Sequence, residues 1–424
     1  MSDSKNDIAW NALFEKHQIL EIIEREGHFK IKSSDINKFR EARLMTKFDF
    51  SSQLPSIFKE NNLSLLPISR NSYLIAPMQA FHTFEKQPVQ AERIVFPENI
   101  QSIKIEEISS EAVAVNAAFL SGILEKFLKE SPLNFTVNGR MGSETFEFTI
   151  DANGTSLSVN IHNAQIEIDA GLEGPDSLTL IEAKNSLSDD FLIRQLYFPY
   201  RLWSDKIEKK VRPVFMTYTN GIFYLREYAF EPKSHYNAIK LVQAKRYSIQ
   251  EGVIGDEELK QILRTTQTVM EPEIPFPQAD SFDRLVNLLE FLYQEEQMTL
   301  EDITSTYDFD QRQSRYYTSA GMYLGLIYKD NESHAFGLTD RARKLFKESI
   351  FQRQLSLIRC VLEHVVFHRC LSTYLREGII SKEAVVEIMK EERLYNINSE
   401  NTYFRRAATI IKWLEWMREE GLDF

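Results

Sequence analysis

The sequence is poor in cysteine, glycine and proline, and each shortage excludes a class of protein. Only two cysteines occur in 424 residues, so the spaced cysteine framework of a small secreted domain is absent and a cytoplasmic setting is expected. With 15 glycines and 13 prolines, the chain has little material for loose linkers or collagen-like repeats. It is therefore expected to be dense in regular secondary structure.

Long apolar runs and several enzyme motifs are missing too. No stretch approaches the roughly 18 apolar residues of a membrane-spanning helix, and the opening MSDSKNDIAW lacks the apolar region of a signal peptide. No GxxxxGK[ST] motif for nucleotide phosphates and no NPPY-like methylation motif occurs. These absences predict a protein without a membrane partner, whose activity needs neither nucleotide hydrolysis nor a fused methyltransferase.

The charge of the chain is net acidic but unevenly distributed. Its 62 acidic and 50 basic residues give −12, which is weakly unfavourable for a polyanionic partner. Residues 141–190 are strongly acidic, however, and residues 191–250 are net basic. An acidic cluster followed by a basic segment suits metal ions beside phosphate groups.

The order of predicted elements divides the chain into four segments. They are an α+β DNA-binding domain at 1–100, a mixed sheet flanked by helices at 101–270, a winged-helix DNA-binding domain at 271–350 and a helical domain at 351–424. Apolar spacing predicts helices at 8–24, 110–130, 189–206, 281–295 and 310–327. Thr299 and Asp302 predict the capping box of a further, short helix. The predicted fold class is therefore α+β and multidomain.

One strand pair carries charges on an otherwise apolar face. Asp169 ends one predicted strand, and Glu182 and Lys184 lie two residues apart on the next, where side chains share a face. Buried charges cost stability unless they pair or bind a cation, so this pattern indicates a site. A surface hairpin with a simple Glu–Lys pair fits the same spacing and remains an alternative.

These residue types suit metal-assisted phosphodiester hydrolysis. Asp169, Glu182 and the Ala183 carbonyl offer oxygen ligands for Mg²⁺, while Lys184 would orient the attacking water and stabilise the transition state. Glu111 and Glu125 on the preceding helix are candidates for an extra ligand, and the sequence decides neither whether such a ligand exists nor which of the two it is.

The spacing from Asp169 to Glu182-Ala183-Lys184 resembles the signature of the PD-(D/E)xK nuclease superfamily, with Ile168 where the proline would stand. The predicted order of helix, strands, helix and the strand VFMTYTN resembles the α-β-β-β-α-β core of those nucleases. Gln195 and Tyr200 resemble the Gln/Tyr pair of the RecB-like branch, although they are five rather than four residues apart. The resemblance implies that Gln195 belongs to the catalytic group.

Segments outside this core resemble stand-alone type II restriction endonucleases: FREARLMTKFD, LSLLPISRNSYLIAP, RQSRYYTSAGMYLGLIY and SENTYFRRAATIIKWLEW. The likeness spans nearly the whole chain but implies no target sequence. It implies Mg²⁺-dependent cleavage of double-stranded DNA at a short specific site, with a cognate DNA methyltransferase as a functional, not physical, partner. A homodimer is expected, because two active sites related by a two-fold axis match a symmetric site.

Two other functions remain open at this point. One is a repair or structure-specific nuclease that shares the same core, and the other is a winged-helix DNA-binding regulator without catalytic activity. Cleavage of intact linear duplex DNA into discrete fragments distinguishes restriction from both.

Candidate DNA-contacting residues come from three segments. The start of the predicted recognition helix, the terminal helix and the first domain contribute Arg312, Arg315, Tyr316, Arg405, Arg406, Arg40, Arg43 and Lys47. Arginine paired with guanine is the commonest specific contact in the major groove, and lysine or arginine also grips phosphates. The alternative is that these side chains form an ordinary solvated face.

Overall fold

The computed structural model describes residues 4–85, 90–249, 252, 254–307, 311–392, 394–397 and 399–419. Within these residues the chain forms an N-terminal α+β unit, a central unit built on a mixed sheet, and a C-terminal, mostly helical unit. The predicted α+β multidomain class is thereby confirmed. No helix in the described ranges has the length and apolar character needed to cross a bilayer.

The N-terminal unit packs short helices against a small antiparallel sheet. Its elements are α1 (Lys5–His17), α2 (Ile19–Glu26), β1 (Phe29–Lys32), α3 (Ser33–Ile36), α4 (Ala42–Met45), α5 (Ser56–Glu60), β2 (Ser64–Ser69) and β3 (Ser72–Ala76). The strand order is β1-β3-β2. Trp10 and Phe58 lie edge to face in the core, and the Trp10 Nε1–H donates to the Met45 carbonyl. This hydrogen bond fixes the polar end of a fully buried ring.

The prediction of a single helix over 8–24 is wrong, because the helix is interrupted at Gln18. This residue adopts the left-handed conformation with φ 48°, and its N–H reaches the carbonyls of Phe14 and Glu15. Left-handed caps of this type close a helix by satisfying its last carbonyls. Two short helices therefore replace one.

The central unit contains most of the strands. Its elements are β4 (Phe81–Thr83), β5 (Ala91–Arg93), α6 (Glu111–Leu120), α7 (Ile123–Leu128), β6 (Asn134–Gly142), β7 (Thr145–Ala152), β8 (Thr155–His162), β9 (Gln165–Glu173), β10 (Ser177–Lys184), β11 (Asp190–Leu192), α8 (Arg194–Ser204), β12 (Lys210–Thr219), β13 (Ile222–Phe230) and β14 (Ile239–Ser248). Seven of these strands form one sheet in the order β5-β14-β13-β12-β10-β9-β6. The β10–β12 and β14–β5 pairs are parallel, and the remaining pairs are antiparallel.

Helices cover both faces of this sheet, as its side-chain alternation requires. Ile181 and Ala183 of β10 join the apolar core under α6 and α7, whereas Leu178 and Leu180 face the side on which Tyr200 and neighbours of α8 pack. Strands buried on both faces are typical of a sheet between helical layers. The charged end of β10 thus emerges at the margin of a fully packed sheet.

Two predicted helix boundaries in the central unit are wrong. The helix expected over 110–130 is split at Gly122, whose φ of 75° is left-handed and therefore costs a glycine little. The helix expected from 189 begins at Arg194, because Asp190–Leu192 pairs as β11 with β4 instead. Strand β5 also joins the central sheet, so the chain enters the central unit before the predicted boundary at residue 100.

The C-terminal unit has one continuous apolar core. Its elements are α9 (Asp256–Thr265), α10 (Phe282–Glu295), β15 (Gln297–Met298), α11 (Leu300–Thr306), α12 (Gln311–Tyr323), β16 (Ile327–Lys329), β17 (Phe336–Leu338), α13 (Asp340–Leu345), α14 (Ile350–Leu362), α15 (Val365–Glu377), α16 (Lys382–Glu391) and α17 (Glu400–Glu419). One cluster of core residues has members from Ile254 to Met417, so the segments predicted as separate domains at 271–350 and 351–424 share their packing.

This unit contains a small three-stranded sheet of order β15-β17-β16. Along the chain, helix α10 precedes the sheet, and helices α11 and α12 lie between β15 and β16. The predicted capping box is confirmed, because Thr299 and Asp302 exchange hydrogen bonds at the start of α11. Helix α12 ends at Tyr323 rather than 327, since Gly325 turns left-handed before β16. Its predicted start at Asp310 lies outside the described residues.

Candidate active site

The predicted strand residues meet where β9 and β10 diverge. Backbone pairing of the two strands ends at Ala170 and Ile181. Beyond that point the Asp169 Oδ2, instead of a backbone carbonyl, accepts a hydrogen bond of 2.8 Å from the Ala183 N–H. Because the N–H and C=O of one strand residue point to the same side, the Ala183 carbonyl also faces the Asp169 strand. Asp169 and Ala183 therefore present oxygens to one space.

Lys184 and Gln195 converge on one carboxylate. The Lys184 Nζ and the Gln195 Nε2 both donate to the Glu182 Oε1 at 2.6 Å. Lys184 also lies 3.6 Å from Glu111 Oε1 at the start of α6. The structure thus brings together the residues named from the sequence as candidates for catalysis, and of the two candidate glutamates it places Glu111 beside them. Glu125 instead accepts from the Ser131 Oγ at 2.9 Å.

Tyr200, the second member of the Gln/Tyr pair, does not reach this group. Its ring packs 5.2 Å from that of Phe230, centroid to centroid, within the apolar layer beside α8. The polar tip of Gln195 therefore comes to the site without its expected tyrosine neighbour.

Asp49 is a carboxylate that the sequence analysis missed. It belongs to the N-terminal unit, yet its Oδ1 lies 3.4 Å from the Gln195 Nε2. Its backbone carbonyl accepts the Leu192 N–H at 2.9 Å, which ties this stretch to the segment before α8. Asp49 ends the FREARLMTKFD segment, but no local spacing connects it to residues more than a hundred positions later. Only tertiary packing could reveal it.

The immediate surroundings of Lys184 contain several carboxyl groups. Burial raises the pKa of Asp169, Glu182 and Glu111 above their ordinary values, and neighbouring carboxylates, including Asp49, add to the effect. Burial alone would lower the pKa of Lys184, but Glu182 and Glu111 outweigh it and raise that pKa above its usual value. Lys184 is therefore a cation at neutral pH, whereas burial favours the neutral form of the carboxyl groups around it.

The donor set fits a hard divalent cation. Carboxylate and carbonyl oxygens are the ligands that Mg²⁺ takes in proteins, usually one or two carboxylates with water and substrate phosphate completing the shell. Here Oδ2 of Asp169 and Oε1 of Glu182 are engaged by protein donors, and each carboxylate has a second oxygen to offer. In the described ranges no group of three or more His, Cys, Asp or Glu side chains is placed so that it could hold a metal ion by itself. Two carboxylates and one carbonyl fit a site whose shell water and substrate complete.

A cleft of about 610 Å³ lies between the N-terminal unit and this end of the sheet. Its walls include the carboxylates above and five cationic residues: Arg43, Lys47, Arg70, Arg140 and Arg194. Only the first two of these were named from the sequence. Arg40 lies elsewhere and donates to the Asn6 Oδ1 at 2.8 Å. The carboxylate group is therefore bordered by cations, which is the arrangement a polyanionic substrate requires.

The C-terminal candidates form a second cationic face. Arg312 and Arg315 are exposed on α12, and the Arg312 Nε–H donates to the Tyr316 hydroxyl. Burial lowers the pKa of Arg406 below its usual value. The neighbouring charge of Arg405 lowers this pKa further, and Tyr316 raises it. The structure therefore brings the start of α12 and the start of α17 close together, although they are about ninety positions apart. Arg406 also donates to the Gln278 Oε1.

The cysteine and histidine residues of α14 and α15 belong to the core. Cys360 and Cys370 are buried free thiols, and the His368 Nε2 lies 3.0 Å from the Leu263 carbonyl. His364 stacks on Tyr323 with ring centroids 4.0 Å apart. These side chains are accounted for by packing and hydrogen bonding.

The sequence matches three families, each described as a domain of unknown function. DUF6996 covers residues 7–75, DUF6997 covers 76–248 and DUF7226 covers 284–420. The junction of the first two coincides with the end of β3. No curated protein and no solved structure matches the chain. The functional interpretation consequently depends on the geometry of the site.

Proposed function

We propose that the protein is a Mg²⁺-dependent endonuclease of the PD-(D/E)xK type that cleaves double-stranded DNA. The observation that carries this proposal is the convergence of Asp169, Glu182 and Lys184 where β9 and β10 diverge. The strand order supports it: β6, β9 and β10 run antiparallel, and β12 then lies parallel to β10 after α8. With α6 and α7 in front, and with the β7–β8 hairpin inserted between β6 and β9, this order resembles the α-β-β-β-α-β order of that nuclease core.

The chemistry follows from the roles that each side chain can take. Bound Mg²⁺ would be held by Asp169, Glu182 and the Ala183 carbonyl, and it would lower the pKa of a water and offset charge on the phosphoryl oxygens. Lys184, a cation on the same strand face, orients the attacking water and stabilises the charge of the transition state. Gln195 fixes the Glu182 carboxylate through its Nε2 hydrogen bond.

The surfaces around the site support DNA as the substrate. The cations of the cleft would hold phosphates beside the carboxylates, whereas the face formed by α12 and α17 would contact bases or backbone. The order α10, β15, α11, α12, β16, β17 resembles that of a winged helix, in which α12 would be the recognition helix. A restriction role in the cytoplasm, with a homodimer and a cognate DNA methyltransferase acting on the same sequence, is the most specific form of the proposal.

The direct test is digestion of unmethylated phage DNA by the purified protein. Reactions contain Mg²⁺ or EDTA, and a variant with both Asp169→Ala and Lys184→Ala serves as the inactive control. Discrete bands that disappear in EDTA and in the variant are expected, and sequencing of the ends would give the site.

The other outcomes separate the remaining functions. A metal-dependent smear, or cleavage confined to branched or damaged DNA, would favour a repair nuclease. Intact DNA under all metal and salt conditions, together with a gel shift, would contradict catalysis and leave a winged-helix regulator.

The cations of the cleft give a separate prediction. Replacing Arg43 and Lys47 by glutamine is expected to weaken DNA binding and to lower the slope of log affinity against log salt by about 1 for each lost phosphate contact. Fluorescence anisotropy in Ca²⁺ at several salt concentrations measures the slope. The matched control is Arg25→Gln with Lys30→Gln, an equal charge change on exposed residues of the same unit that do not border the cleft. Equal slopes for the two double variants would contradict this assignment.

A further inference from the structure

Helix α10 presents three polar side chains to the central unit. Arg284, Asn287 and Glu290 are three residues apart, so they lie along one side of the helix. Asn287 is only 1% exposed although its side chain is polar, and its neighbours along α10 are apolar core residues. Burying an amide in such a position lowers the stability of the fold unless its N–H and C=O groups form hydrogen bonds. Its partners are therefore informative.

Those partners directly follow the catalytic strand. The Asn287 Nδ2 donates to the Asn185 carbonyl at 2.7 Å, and its Oδ1 accepts the Leu187 N–H at 3.1 Å. Asn185 is the residue after Lys184. A primary amide is the side chain that can donate and accept in this way, so asparagine matches both backbone groups of the loop.

Glu290 makes the equivalent attachment to the neighbouring parallel strand. Its Oε2 accepts from the Thr219 Oγ1 at 2.7 Å and its Oε1 from the Asn220 N–H at 2.9 Å, where β12 ends. The Asn287 Nδ2 also lies 3.2 Å from the Glu290 Oε2. One helix side thus holds the ends of β10 and β12 in a single hydrogen-bonded group. Arg284 adds an ion pair of 2.9 Å to Asp189 in the following loop.

The start of helix α10 contacts helix α12, which carries part of the cationic face. The buried Tyr317 of α12 accepts a hydrogen bond from the Ser281 N–H at 3.3 Å, and the Ser281 hydroxyl caps α10. Tyr317 follows Tyr316 of the candidate DNA-contacting set. Helix α10 is consequently in contact both with the helix proposed to read DNA and with the strand ends beside the reactive group.

We propose that Asn287 and Glu290 are positioning residues, through which helix α10 of the C-terminal unit sets the placement of Lys184 at the end of β10. This inference rests on the proposed nuclease function and adds a coupling between DNA engagement and cleavage. Its physical basis is that a shift of the 185–187 loop moves the adjacent lysine, and a displacement of about 1 Å in such a group costs roughly 100-fold in rate.

The experiment compares four variants of the full chain. Asn287→Ala and Glu290→Ala remove the attachment. Glu290→Gln retains an acceptor for Asn220 and a donor for Thr219, and it loses only the longer contact of 3.2 Å with the Asn287 Nδ2. Leu289→Ala, a core change on the same helix that does not face the loop, controls for loss of stability. Measurements are single-turnover cleavage, DNA affinity in Ca²⁺, and hydrogen exchange at the Leu187 and Asn220 amides without DNA.

The two alanine variants at 287 and 290 are expected to slow cleavage by at least about tenfold. Their affinity for DNA should stay within about threefold of wild type, because neither residue is proposed to touch DNA. Exchange should rise by about tenfold or more at Leu187 in Asn287→Ala and at Asn220 in Glu290→Ala. Glu290→Gln should cleave at close to the wild-type rate, as should Leu289→Ala below its unfolding temperature.

Each result is decisive for one of the two proposals. Normal cleavage by Asn287→Ala and Glu290→Ala, in a protein whose wild type cleaves, would overturn the positioning role and leave the nuclease function intact. Slowing of Leu289→Ala by the same factor would also overturn it, since the effect would then be general instability. A wild type that never cleaves would overturn the nuclease function, and unchanged exchange at both amides would then overturn the attachment as well.

Discussion

Replacing Lys184 by methionine is expected to reduce DNA cleavage by at least about 100-fold while the protein stays folded and keeps its affinity for DNA. Methionine keeps most of the length of the side chain but removes its charge. Lys184 is 13% exposed and donates to Glu182 while lying 3.6 Å from Glu111. Its raised pKa keeps it cationic through the neutral range, so its contribution is electrostatic rather than that of a proton acceptor.

The stage at which activity is lost separates lysine from the carboxylates. Lys184→Met should retain divalent-ion binding, since it removes a cation, whereas Asp169→Asn should weaken it. Calorimetric titration with Mn²⁺, alongside single-turnover cleavage, measures the two effects. Lys209→Met is the matched control, because Lys209 is an exposed residue near the far end of the same strands, where it pairs with Glu173. Cleavage by Lys184→Met within about threefold of the control would contradict the assigned role.

The grouping of the candidate site residues could be predicted from sequence because its members are local. Glu182 and Lys184 share a strand face through a two-residue repeat, and Asp169 precedes them in the adjoining hairpin. Gln195 follows on the next helix. Asp49 could not be predicted in this way, because it reaches the site only when the N-terminal unit packs on the segment before α8.

The sequence contains even weaker signals for the residues that surround the site. Arg70, Arg140 and Arg194 border the cleft, but single arginines on loops, strand edges and helix ends are common on any surface. Asn287 is hidden for a different reason. In the sequence it is one polar residue in an apolar helix, and only its contacts with Asn185 and Leu187 distinguish it from a tolerated exception.

The fold shows the same division between local and distant causes. Strands β12 and β13 were predictable because two runs rich in aromatic and β-branched residues flank the Asn220-Gly221 turn, whose residues both have positive φ. Strand β5 was missed because its three residues, Ala91–Arg93, have no apolar pattern and are held by the edge of β14. Helix breaks at Gln18 and Gly122 depend on left-handed residues, and at glutamine this conformation has no sequence signal.

Replacing Glu227 by alanine is expected to lower the free energy of unfolding by about 3–5 kcal/mol, independently of any activity. Glu227 lies on β13, is 2% exposed, and accepts two hydrogen bonds from Arg212 of β12 at 2.9 and 2.7 Å. Gln243 of β14 donates to the same carboxylate at 2.7 Å, and the Arg212 Nη1 also donates to the Leu128 carbonyl. Removing the glutamate leaves a largely buried guanidinium without its principal counter-charge.

The pH dependence of this effect has a definite sign. Burial by itself raises the pKa of Glu227, but the hydrogen bonds and charge of Arg212 outweigh burial and hold that pKa below its ordinary value. A group with a lowered folded pKa stabilises the protein above its unfolded pKa of about 4.3, and this contribution is lost as the pH falls through the folded value. The stability difference between wild type and Glu227→Gln should therefore be full at pH 7 and shrink in acid.

Urea denaturation at neutral and acidic pH measures both predictions, with unfolding followed by tryptophan fluorescence. The control is Glu173→Ala, which removes the partner of Lys209, with side chains 40% and 39% exposed. Exposed pairs contribute about 1 kcal/mol or less because water screens them and two flexible side chains must be ordered. Equal losses for Glu227→Ala and Glu173→Ala would show that the Arg212 pair is as weak as a surface contact. A larger loss at Glu227 means that the β12–β13–β14 part of the sheet depends on its buried charges as well as on its apolar faces.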